Sequence, residues 1–158
     1  MSALHLRPAE PGDARWVHVW ANDPETRAAS FSTGEIALDD HLEWFARQLA
    51  AMGQHLLIAE DAAKQRVAFV RLDARGHDDG GSTISINVDP SQRGQGTGTA
   101  VLEVASRYAT GLGLKKIEAL VRPDNHASVR AFEKAGYARA GETKVEEQPA
   151  LRLVKQLE

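Results

Sequence analysis

The chain has 158 residues, a length that favours one domain able to bury roughly two-thirds of its unfolded surface. A hydrophobic share of 42% and a charged share of 26% are globular values, and a formal net charge of −3 argues against general nucleic-acid binding, which favours a basic face. There is no cysteine, which excludes disulfides, thiolate zinc sites and a thiol acyl-enzyme.

Met1 to His5 carry no apolar signal core, and no window approaches the length of a membrane span. A cytoplasmic protein without membrane contact is expected. Leu4–Arg7 alternates as a short strand ended by Pro8. Asp13 can cap a helix running through Trp20, which Asn22-Asp23-Pro24 breaks. Asp39 or Asp40 opens a second helix, with Leu42, Phe45, Leu49 and Met52 at helical spacing. Three strands are expected at His55–Ala59, Val67–Leu72 and Thr83–Val88, the last two separated by a polar loop over Gly76–Gly81. A helix over Thr99–Tyr108, a strand over Lys116–Val121 and a short helix over Ala127–Lys134 closed by Gly136 follow. Tyr137–Ala140 and Ala150–Val154 can form a final hairpin.

Between the third strand and its helix lies Arg93-Gly94-Gln95-Gly96-Thr97-Gly98. Three glycines at alternate positions let the backbone approach a ligand without Cβ atoms in the way. The first amides of the following helix lack intrahelical acceptors and lie at its positive end, a geometry suited to phosphate or pyrophosphate. A P-loop would need Gly-Lys-Ser/Thr, but Thr99-Ala100 follow Gly98. A dinucleotide fingerprint would need its third glycine at Thr99 or Val101. Without a ligand, the same segment reads as a tight turn.

This Arg-x-x-Gly-x-Gly turn, with Pro123-Asp124-Asn125-His126-Ala127-Ser128 and Phe132-Glu133-Lys134-Ala135-Gly136-Tyr137 downstream, resembles the GNAT superfamily of acetyl-CoA-dependent N-acetyltransferases. The likeness is strong from Ser82 to Gly141 and looser back to Leu4. It implies a single α/β (α+β) domain over residues 1–158, with a mixed, mostly antiparallel sheet of six or seven strands and helices on both faces. It further implies acetyl-CoA as co-substrate, held by Val88, Arg93, Gly94, Gln95, Gly96, Thr97 and Gly98, with Asn125, Ser128 and Phe132 from the short helix. In relatives the Thr83–Val88 and Lys116–Val121 strands splay, and pantetheine completes the open edge. The six histidines follow no metal-ligand spacing, so no metal is expected.

Ile84, Ile86 and Val88 share one face of their strand, and Thr83, Ser85 and Asn87 share the other, toward the acceptor. Ser85 and Asn125 are the candidate catalytic polar groups. An apolar-in, polar-out strand is the alternative reading of the first, and a helix N-cap the compatible reading of the second. Ser128 and Arg130 meet either CoA phosphates or solvent. Two departures from the family pattern stand out. Phe132 occupies the place of a tyrosine that protonates the leaving thiolate in many members, and Thr83 stands where many carry a glutamate base. The base must then come from the N-terminal helices, or water conducts the proton away.

The segments Trp20 to Arg27, Ser30-Phe31 and His41 to Phe45 resemble the branch that acetylates amino groups of nucleotide-linked deoxysugars, and in part the branch acting on ribosomal-protein N-termini. Asn22, Arg27 and His41 are the acceptor-binding candidates, with caps and solvated faces as the alternative. The favoured acceptor is a small-molecule amine such as an amino-sugar nucleotide. A protein N-terminal or lysine acetyltransferase and a non-catalytic acyl-CoA-binding module stay open, as does a homodimer.

Overall fold

The computed structural model describes residues 3–157. The chain forms a seven-stranded sheet from β1 (His5–Pro8), β2 (Gln54–Glu60), β3 (Arg66–Asp73), β4 (Gly81–Val88), β5 (Lys116–Val121), β6 (Ala138–Val145) and β7 (Gln148–Gln156). Their spatial order is β1-β2-β3-β4-β5-β7-β6, antiparallel throughout except between β4 and β5. This is the expected mixed architecture, with the larger of the two strand counts. Among the described residues no helix is long and apolar enough to cross a membrane.

Helices cover both faces. Under α4 (Thr97–Gly111) and α5 (His126–Lys134), buried Val101, Leu102, Ala105, Val129 and Phe132 pack on Val70, Leu72, Ile84, Ile117 and Leu153. Ile86 and Val88 join that cluster, as the alternation of β4 predicts. On the opposite face α1 (Ala14–Ala21) and α3 (Leu38–Ala50) set Val17, Trp20 and Phe45 on Leu56, Ile58 and Phe69.

Several boundaries differ from the sequence reading. The Asn22-Asp23-Pro24 break does end α1 at Ala21, but it also starts α2 (Pro24–Ala29). Asp23 caps that helix by accepting from the Thr26 N–H at 3.2 Å, and Pro24 sits at the first turn, where a missing N–H costs nothing. Asp39 and Asp40 do not cap α3. They lie in its first turn, where negative charge suits the helix dipole. The last hairpin is longer than expected because Glu146 and Glu147 both take positive φ (49° and 64°), giving a two-residue turn without the usual Asn-Gly signal.

Candidate active site

β4 and β5 pair only where Gly81–Thr83 meet Lys116–Glu118. Past Thr83 the two strands part, leaving Ile84–Val88 an open edge inside the sheet. Backbone N–H and C=O groups along such an edge need partners, and an extended ligand with amide groups can supply them.

The Gly-rich turn sits at the mouth of this opening. Gly94 and Gly96 both adopt φ of 75°, a left-handed conformation that glycine tolerates best. Gly96 is the N-cap of α4, which begins at Thr97, two residues before the expected start. Its carbonyl accepts from the Ala100 N–H at 3.1 Å, leaving the amides of Thr97, Gly98 and Thr99 at the helix start without intrahelical acceptors. A Cβ at Gly98 would lie 3.9 Å from Ala131 Cβ and 4.0 Å from Val88 Cγ2, so α4, α5 and the end of β4 converge there.

Arg93 turns away from the glycines and toward α2. Its guanidinium bonds Asp23, pairs with Glu25 at 2.8 Å and donates to Thr26 Oγ1 at 3.1 Å. The bond from Arg93 lowers the pKa of Asp23. Gln95 Nε2 donates to Ser91 O at 3.2 Å. Asn125 is the N-cap of α5, its Oδ1 accepting from Ser128 N–H at 3.3 Å, and Phe132 is buried against Tyr137.

On the α1/α3 face a cavity of about 410 Å³ opens. Phe69 and Asn87, cross-strand partners on β3 and β4, line it together with Val17 and Ala21 from α1. Ile36 and the α3 side chains Asp40, His41, Trp44 and Arg47 complete the wall. His41 is buried and its Nε2 lies 3.0 Å from Ala14 O. A carbonyl can only accept, so Nε2 carries the proton and the neutral ring keeps its lone pair on Nδ1. Burial lowers the His41 pKa, which favours this neutral form.

The other two acceptor candidates hold a loop. The Asn22 side chain brackets Ile36, donating to its carbonyl at 2.7 Å and accepting from its N–H at 2.8 Å. Arg27 donates to the carbonyls of Ala21 at 2.7 Å and Ser32 at 2.8 Å. Arg122 reaches Ala28 O and Ser30 O, and Gln148 reaches Phe31 O. These bonds fasten the segment between α2 and α3, whose Ile36 lines the cavity, while Asn22 and Arg27 are not among the lining residues. Ser85 is exposed, with its Oγ 3.4 Å from the Arg71 guanidinium.

Sequence reasoning passed over Arg71, Asp40, Arg47 and Glu118. Arg71 had a signal, a lone charge inside the apolar run Val67–Leu72. Glu118 is the register partner of Thr83 and places a carboxylate beside it from β5, where β4 has none. Arg152 holds that carboxylate at 2.7 Å. Among the described residues no cluster of side chains fits a metal ion.

Residues 3–138 match the acetyltransferase (GNAT) domain family. Over 142 residues, 87% of the chain and 86% of the relative, it is 29% identical to the protein named "Putative phosphinothricin acetyltransferase YwnH" of Bacillus subtilis (strain 168). It is 30% identical to a mycothiol acetyltransferase of Nocardiopsis dassonvillei over 85% of the chain, which spans 42% of that longer protein. In fold it matches AAC(6')-Ib in complex with an aminoglycoside and acetyl-CoA (TM-score 0.86, 21% identity, 98% and 93% of the two chains). It also matches the Vibrio cholerae spermidine N-acetyltransferase with CoA and spermine (TM-score 0.84, 23% identity, 97% and 95%). The chain belongs to the GNAT acetyltransferase family and is an acetyl-CoA-dependent N-acetyltransferase.

Proposed function

We propose that the acceptor is a primary amine of a small molecule, placed in the cavity between α3 and β4. The observation that carries this reading is the cavity itself. Its volume of about 410 Å³ lies in the range of small-molecule sites, and its wall joins apolar Val17, Trp44 and Phe69 to polar Asp40, His41 and Asn87, a lining suited to a small amine. The relatives named for phosphinothricin, aminoglycosides and spermidine support the same class. Amino-sugar nucleotides, favoured by the N-terminal resemblance, fall within it.

The chain's residues fit the co-substrate. The open β4 edge near Val88 receives the pantetheine amides, the amides of Thr97 and Gly98 receive the pyrophosphate, and Asn125 and Ser128 border the same cleft from α5. Bound acetyl-CoA supplies an acetyl thioester as the electrophile. The chain has no cysteine for a thiol acyl-enzyme, and in the direct route the amine nitrogen attacks the thioester carbonyl and the carbon–sulfur bond breaks, releasing the CoA thiolate. The nitrogen must first be neutral. For a lysine-like amine this costs about 4–5 kcal/mol at pH 7. His41, neutral on the cavity wall, is the proton acceptor within the α-helices, and Asn87 orients the amine from β4. Phe132 cannot protonate the departing thiolate. A thiol pKa of about 8.5 lets solvent do so near pH 7.

Release of CoA thiol is measured with acetyl-CoA and a panel of amino acids, polyamines, amino sugars, amino-sugar nucleotides and peptides with free N-termini. Turnover confined to small amines is expected. Turnover confined to peptides would favour the protein-modifying reading. Tight acetyl-CoA binding without turnover of any amine would favour a binding module.

A further inference from the structure

Arg71 is set apart from the other half-buried arginines of the described residues. Arg7 and Arg66 share Asp13, Arg122 holds Asp124, and Arg152 holds Glu118. Arg27 is spent on backbone carbonyls. Among the described residues Arg71 has no carboxylate within salt-bridge distance. The carboxylate two residues along its own strand, Asp73, is committed to Arg75 through both oxygens, at 2.9 and 3.1 Å.

What Arg71 does touch fixes where its charge lies. Its guanidinium carbon stands 5.4 Å from the centre of the Trp44 ring, and one NH2 group reaches Ser85 Oγ at 3.4 Å. Trp44 lines the cavity, and Ser85 precedes cavity-lining Asn87 by two residues on the same face of β4. Arg71 pairs with Ser85 in register, one step along the sheet from the Phe69–Asn87 pair of the cavity floor. That step is roughly 7 Å at about 3.3 Å per residue. The guanidinium presents five donors in a planar fork, suited to an oxyanion, and the Ser85 hydroxyl beside it can donate to the same group. A half-buried cation without a carboxylate is costly to keep, and burial indeed disfavours its charged form, so an anion arriving there recovers what burial loses.

We propose that Arg71, braced by Trp44 and Ser85, binds an oxyanion of the acceptor, so that the preferred substrate is an acidic primary amine. The amine lies toward Asn87 and the opening between β4 and β5. The carboxylate, phosphate or phosphinate of the same molecule lies one register step away. This rests on the cavity being the acceptor site.

The test uses matched pairs of amines with acetyl-CoA: glutamate against its diamide, γ-aminobutyrate against its amide, and glucosamine phosphate against glucosamine. The first two pairs report a carboxylate source, the third a phosphate. A kcat/KM ratio of about 10- to 100-fold in favour of the acidic member is expected from a charge-assisted contact. Arg71→Gln should abolish that ratio through KM of the acidic amine and leave the neutral one unchanged, and Arg71→Lys should restore part of it. Ser85→Ala gives a milder loss if Arg71→Gln does not fold. Turnover of amines without acid preference overturns the inference and leaves the small-amine reading intact. Independently of turnover, N-acetylglutamate and its diamide are titrated calorimetrically into the CoA-loaded protein. Equal affinities overturn the inference, and a preference for the acid that disappears in Arg71→Gln supports it.

Discussion

Phe132 and Tyr137 meet edge to face, with ring centroids 4.9 Å apart and planes at 78°. The contact belongs to the way α5 ends. Gly136 takes φ of 99°, its N–H bonds Glu133 O at 3.1 Å, and the Tyr137 N–H bonds Phe132 O at 3.0 Å, the paired bonds of a Schellman motif with its hydrophobic contact. Tyr137 is therefore a helix-terminating residue. Its hydroxyl is buried without a hydrogen-bond partner, and burial pushes its pKa above the usual phenol value.

An unpartnered buried hydroxyl costs about 1–3 kcal/mol, so Tyr137→Phe should raise stability by about 1 kcal/mol and leave kcat unchanged. Thermal melts and thiol-release kinetics of the variant check both. A hundredfold fall in kcat, the low end of about 10²–10⁴ for a general acid, would make Tyr137 the proton donor. Phe132→Tyr should change kcat by less than that.

Gly98 separates helix stability from ligand binding. Its Cβ space is free of clashes, and alanine gains roughly 0.5–1 kcal/mol over glycine inside a helix. Gly98→Ala should melt higher without ligand and yet bind acetyl-CoA more weakly, because the methyl group enters the space between Val88 and Ala131. Isothermal titration shows the second effect. Unchanged affinity would remove this cleft as the phosphate and pantetheine path.

Asp13 is 1% exposed and holds Arg7 at 2.8 Å and Arg66 at 2.7 Å. Burial pushes its carboxyl up, but hydrogen bonds from Arg7, the Glu10 N–H and Arg66 outweigh this, and its pKa falls to about 2. A depressed carboxyl stabilises the fold fully above its unfolded pKa and loses that contribution as pH falls through the folded value. Stability should therefore drop by about 2 kcal/mol between pH 4 and pH 2 from this group. Asp13→Ala should cost about 3 kcal/mol at neutral pH, since Arg66 loses its carboxylate and Arg7 keeps only Glu60. Urea unfolding at several pH values measures both.

His41 titrates in the same sense. Its folded pKa lies below 6.5 because burial disfavours the imidazolium, so its contribution is present above pH 6.5 and declines as pH falls below it. An imidazole NMR titration should give a midpoint below that of an exposed histidine. Acetyl transfer should persist to the same lower pH if His41 takes the proton.

Arg27→Ala removes the donors that fasten the loop to Ala21 and Ser32. Acceptor KM should rise while acetyl-CoA affinity stays unchanged, since Ile36 at the end of this segment lines the cavity. Equal losses in both would mean that the loop reaches the cofactor cleft.

The order of strands and helices, the buried face of β4 and the Gly-rich turn were legible in the chain because they rest on local rules. Strand alternation, helical spacing and glycine's tolerance of positive φ act within a few residues. Helix α2 was readable too, but Pro24 was taken only as a breaker, although Asp23 before it makes a start signal. The parting of β4 from β5 at Thr83 was anticipated only through family resemblance, because it depends on where two strands distant in sequence stop pairing. The proposed acceptor site needed the folded chain altogether. Arg71 meets Trp44 and Ser85 across three elements, Glu118 reaches Thr83 from another strand, and Asn22 and Arg27 are drawn into holding a loop. Whether a charged side chain finds a protein partner or keeps its charge for a ligand is decided by these long-range neighbours, which no local pattern encodes.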